Sequence, residues 1–69
     1  MSAKQLGKII LAAGWRIVNT KGWKGAIKAT AKDSAILLVA YYDVVKYGNA
    51  TRTYSQKTIE GAAKRFGLI

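Results

Sequence analysis

Apolar positions recur at helical spacing near both ends of this chain. Leu6, Ile9, Ile10 and Ala13 share one face, with Lys4 and Lys8 away from it. Ser2 followed three residues later by Gln5 forms a capping box, each side chain satisfying a backbone amide at the helix start. The pattern predicts a first helix from Ala3 to Ala13, closed by Gly14 as a left-handed cap. Near the other end, Ile59, Ala62, Ala63 and Phe66 fall at i, i+3, i+4 and i+7, while Lys57, Glu60, Lys64 and Arg65 lie elsewhere on the helix. Ser55 is placed to accept from an orphan amide of this last helix.

The middle is less regular. Trp15 to Asn19 reads as a short extended loop, because the β-branched pair Ile17-Val18 favours that conformation. Asn19 or Thr20 then caps the next helix. From Lys21 to Tyr47 there is no proline, and Trp23, Ile27, Ala31, Ser34, Leu38 and Val39 recur at three- and four-residue steps. One long helix is predicted there, with Gly22 and Gly25 each costing about 1 kcal/mol near its start. Gly48-Asn49 ends it. The run from Ala35 to Tyr42 is apolar nearly all round and needs covering on several sides, which a partner subunit would supply. The expectation is one all-α domain, residues 1–69, in the order short helix, loop, long helix, loop, short helix.

Composition adds a second constraint. A chain of 69 residues buries only about 60% of its unfolded surface. With no cysteine there is no disulfide or thiolate–metal staple, so oligomerisation is the remaining common support, and at least a dimer is expected. Twelve Lys and Arg face three acids, a net charge of +9. Such a field favours polyanions: nucleic acid or an anionic membrane surface. The hydrophobic content of 51% is too high for a disordered basic tail. The start of the chain lacks the pattern of a secretory leader, and the longest apolar run is far below the roughly 18–20 residues that span a bilayer. Asn49-Ala50-Thr51 fits a glycosylation acceptor, which carries little weight without such a leader.

Catalysis finds almost no support. Asp33, Asp43 and Glu60 are far apart in sequence, and without His or Cys no Ser or Thr has an obvious base. No glycine pattern fits a phosphate-cradling loop. A protein that is not an enzyme, with no cofactor and no metal, is expected.

The segments Leu6-Gly-Lys-Ile-Ile-Leu-Ala-Ala-Gly14 and Thr51-Arg-Thr-Tyr-Ser-Gln-Lys-Thr-Ile-Glu-Gly-Ala-Ala-Lys-Arg-Phe66, joined by a long helix, resemble the histone fold, most closely the small tail-less archaeal histones. The resemblance covers the whole chain in layout and these two segments in sequence. It implies a handshake homodimer in which long helices cross and the first loop of one protomer pairs with the second loop of its partner. It also implies a cytoplasmic, nucleoid-associated protein that binds double-stranded DNA through phosphates and the inward-facing minor groove without reading bases. Lys8 matches a phosphate-contacting base of the family's first helix, and Arg52 and Thr53 match the basic-Thr pair of the second loop. Arg16 stands one position before the first-loop arginine that enters the minor groove. Lys21 and Lys24, at the start of the long helix, would contact flanking phosphates. Leu11 stands where the family often has lysine, and Thr51 and Thr58 stand where it has an arginine–aspartate pair. Gly48 and Thr58 replace a histidine and an aspartate that join dimers, and Asp43 occupies an ordinarily apolar position.

Some residues admit two readings. Lys21, Lys24, Lys28 and Lys32 would line one side of the long helix, as a rail for phosphates or as a solvated face. Trp15, Trp23, Tyr41, Tyr42, Tyr47 and Tyr54 read mainly as core or dimer interface, with Trp15 beside Arg16 the best candidate for stacking on a base. Two other functions fit the composition: a cationic, membrane-active antimicrobial peptide of the helical bacteriocin type, and a small helical viral coat subunit.

Overall fold

Ser2 opens the first helix as its neighbours predict. Its hydroxyl accepts from the Gln5 amide at 3.2 Å, and the Gln5 side chain accepts from the Ser2 amide at 2.9 Å. A computed structural model describes residues 1–69 and is all-helical, with no strand. Helix α1 spans Ala3–Ala12, α2 Gly14–Val18, α3 Ala31–Tyr47 and α4 Gln56–Phe66. Two 3₁₀ turns, Thr20–Gly22 and Lys24–Lys28, lie between α2 and α3.

Several expectations about the first half are corrected. Gly14 is not a left-handed cap; it is buried and begins α2. A Cβ there would collide with the Tyr41 ring, whose Oη would lie 2.9 Å away, so the absent side chain lets α3 approach. Residues 15–19 are not an extended loop either. Leu6, Ile10, Ala13 and Ile17 continue one buried stripe through the bend at Ala13, and burial of Ile17 outweighs the β preference of Ile17-Val18.

The long helix begins at Ala31, ten residues later than expected. The chain is extended at Trp23 and again at Ala29, with the second 3₁₀ turn between them packed on α4. Gly22 and Gly25 weaken a continuous helix there, and Trp23, held half-buried against the core, draws the segment inward. Neither Asn19 nor Thr20 caps a helix; the side chain that does is Thr30. Its hydroxyl accepts from the Asp33 amide at 3.1 Å, and the Asp33 carboxylate accepts from the Thr30 amide at 3.0 Å. At its far end α3 closes on Gly48, in the left-handed region at φ 71°.

Helices α1, α2 and α4 all pack on α3. The core consists of Leu6 and Ile10 from α1, Ala13 and Ile17 around α2, and Ile36, Leu37 and Ala40 from α3. Ala50 of the loop completes it with the whole expected stripe of α4: Ile59, Ala62, Ala63 and Phe66. Helix α4 runs back along α3 and is fastened at both ends by α3's two buried acids. Arg65 clasps Asp33, with Nε 2.9 Å from Oδ2 and Nη2 2.8 Å from Oδ1. The stretch just before α4 is held by Asp43, whose Oδ2 accepts from the Thr53 amide at 3.2 Å and the Thr53 hydroxyl at 2.5 Å.

The Arg65 fork, then the Thr30 amide, hold the Asp33 carboxyl well below the usual carboxylate range. A depressed carboxylate supports the folded state in its charged form. That contribution is complete above the ordinary value of 3.8 and is lost as the pH falls below it. The melting temperature should therefore hold from neutral pH to about pH 5 and decline below about pH 4. Asp33→Asn should melt lower at neutral pH and show a shallower acid decline in thermal melts followed by circular dichroism. With Arg65 half open to solvent, added salt should shrink the difference between the two proteins.

The remaining face of α3 is uncovered. Ala31, Ala35, Leu38, Tyr42 and Val45 share it, and all five are exposed. The apolar run through the middle of α3 is thus covered on one side and bare on the other.

Candidate nucleic-acid interface

Of the twelve basic side chains only Arg65 is in an ion pair, which leaves eleven without one. The chain's acids do little to offset them at the surface. Asp33 and Asp43 are buried and bonded internally, and Glu60 is half-buried on α4. The acids do not converge: no group of three or more metal-ligating side chains is present.

The unpaired cations gather at the two ends of the helical stack. At one end α1 begins, α3 stops and the loop 48–55 crosses over. The Gln56 amide group donates to the Met1 carbonyl there, and Gly7 lies beside Ala50. Lys4 and Lys8, one turn apart on α1, border a groove of about 540 Å3 floored by Gly7, Leu11, Val44 and Ala50. Lys8 therefore sits beside the start of the loop that carries Arg52 and Thr53. The groove reaches Gly48, Asn49 and Ala50 at the start of that loop, and neither Arg52 nor Thr53 lines it.

Arg52 is exposed, and its guanidinium carbon lies 3.7 Å from the centroid of the Tyr47 ring. Thr53 is exposed too, but its amide and hydroxyl both donate to Asp43. The hydroxyl proton expected to serve a phosphate is thus spent inside the protein, and Thr53 fixes the loop from which Arg52 projects. This explains an acid at Asp43, where an apolar residue was the expectation: it is the anchor of the loop.

The other end holds Arg16, Lys21 and Lys24. Arg16 lies on α2, half-buried, 4.8 Å over the Trp23 ring. Lys21 and Lys24 are exposed on separate 3₁₀ turns. The expected rail of Lys21, Lys24, Lys28 and Lys32 does not form, because the helix that would align them is broken at Trp23 and Ala29. Within one chain these residues belong to a different end from Lys8 and Arg52.

Sequence reasoning passed over Lys46 and read Tyr42 and Tyr47 mainly as core or dimer interface, whereas both are exposed and neither belongs to the core of the chain. The Lys46 ammonium lies 5.3 Å from the Tyr42 ring centroid and 5.6 Å from that of Tyr47, and it donates to Tyr42 Oη at 2.8 Å. The two rings meet edge to face with centroids 6.4 Å apart. The signal was present in the four-residue step from Tyr42 to Lys46, which places them on one side of a helix. No helix of the structure is long and apolar enough to cross a membrane. Comparison of the chain with protein-family profiles, with curated proteins and with solved structures finds no match.

Proposed function

We propose that this protein binds double-stranded DNA without sequence preference, as a histone-like homodimer that compacts it through phosphate and minor-groove contacts. The observation that carries the reading is the charge layout: eleven cations without an ion pair, and two of the three acids withdrawn into the interior. Each phosphate neutralised by such a cation releases condensed counterions, so binding of this kind is strong at low salt and falls steeply as salt rises.

The bare face of α3 supports the dimer. In the proposed handshake, the α3 helices of two protomers cross along Ala35, Leu38, Tyr42 and Val45. The crossing would bring Lys8 and Arg52 of one protomer beside Arg16, Lys21 and Lys24 of its partner, so two clusters that are separate in one chain become one surface.

The test is binding to unrelated duplexes over a range of salt, with the mass of the free protein measured in the same buffers. A dimer is expected, with equal affinity for all sequences and a steep log–log salt slope, close to one unit per phosphate contacted. Arg52→Ala should weaken binding to every duplex alike and flatten that slope by about one unit. Loss confined to one sequence class would refute the non-specific reading.

One observation favours a second reading. Trp15 is 69% exposed and Ile27 82% exposed on a chain of net charge +9, a combination suited to an anionic bilayer interface. Leakage of dye from anionic vesicles at low protein concentration, together with a monomeric mass and weak, salt-insensitive DNA binding, would put membrane activity first.

A further inference from the structure

Two arginines in this protein lie over aromatic rings, and their settings differ. Arg16 and Trp23 are both half-buried, and Trp23 packs on the core, so their pairing belongs to the folding of the chain. Arg52 and Tyr47 are both exposed and cover no core residue. Tyr47 is 46% exposed even with the guanidinium at 3.7 Å. Tyr42 stands edge-on to it, and the Lys46 ammonium lies near both rings. The loop that delivers Arg52 is pinned one residue later by the two Thr53–Asp43 hydrogen bonds, so the arginine is placed before any ligand arrives.

We propose that Tyr47 and Arg52, with Lys46 beside them, form a stacking platform for an unpaired nucleobase. The inference rests on the nucleic-acid reading above and narrows it. The flat faces of a tyrosine ring and a guanidinium both accept a base at van der Waals separation, and a base of any identity has such a face. The phosphate next to the stacked base would meet Lys46. A base inside an intact duplex has both faces covered by its neighbours, so the platform is open only to single strands, gaps and frayed ends. The chemistry predicts a protein that grips duplexes by charge and holds single-stranded positions more tightly.

The experiment compares an oligothymidylate single strand with a blunt duplex of equal phosphate number at one fixed salt concentration, using the unmodified protein, Tyr47→Leu and Tyr47→Phe. The unmodified protein should favour the single strand by about tenfold. Tyr47→Leu should lose that preference, its affinities for the two probes becoming equal, and Tyr47→Phe should retain the preference because it keeps the ring. Equal affinity of the unmodified protein for the two probes would overturn the platform and leave duplex binding standing. A single-strand preference that survives Tyr47→Leu would overturn the assignment to this ring. Failure to bind either probe would overturn the platform and the nucleic-acid reading together.

Discussion

Phe66→Ala should leave the protein largely unfolded at room temperature, seen as loss of the helical circular dichroism signal and of any cooperative melt. Phe66 is the largest fully buried side chain and ends the apolar stripe of α4. It lies where α4 meets the second 3₁₀ turn; a Cβ on Gly25 would overlap the Phe66 carbonyl. Truncation removes the ring from the core and leaves a cavity, at a cost of about 3–5 kcal/mol. A domain of this length has a total stability of roughly 3–10 kcal/mol. The loss is therefore a large share of what the fold has and, at the lower end of that range, all of it. Retention of a sharp melt within a few degrees of the unmodified protein would mean that α4 is not seated on α3 as described.

Asp43→Ala should lower stability by about 2 kcal/mol and weaken nucleic-acid binding as well. The carboxylate is buried and accepts from both the amide and the hydroxyl of Thr53. Its removal strands two donors and frees the loop that carries Arg52. Asp43→Asn keeps an acceptor oxygen in place and should recover most of both losses. Because the two residues share one interaction, Asp43→Ala combined with Thr53→Val should cost clearly less than the sum of the single changes in urea unfolding. Additive costs would show that the Asp43–Thr53 contact does not hold the loop. Intact binding in a destabilised Asp43→Ala protein would show that Arg52 needs no fixed loop.

What was legible in the sequence was whatever depends on neighbours within a turn or two. The Ser2–Gln5 capping box, the Ser55 cap, the left-handed Gly48 and the four-residue stripe of α4 all stand where local spacing puts them. The segment from Gly14 to Thr30 was misread because distant residues decide it. Tyr41 settles over Gly14, Ile17 is pulled into the core, and Trp23 is drawn inward beside α4. The Thr30–Asp33 box was written in the sequence all along and would have moved the start of α3 to its true place. At the candidate site, the abundance of cations needed no structure. The Tyr47–Arg52 stack did, because the path of the loop is set by Asp43, ten residues back on α3 from Thr53.

The inward placement of Asp33 and Asp43 also governs how the protein responds to its surroundings. With those carboxylates enclosed, the outward field is that of a polycation with almost no counter-charge of its own. The chain contains no histidine and no cysteine, the side chains whose ordinary titration ranges lie nearest neutrality. The proposed grip on a polyanion would therefore have no side-chain proton dial between mildly acidic and mildly basic solution. Two dials remain: the ionic strength of the medium, which acts on every contact together, and covalent neutralisation of individual lysines, which would subtract contacts one by one.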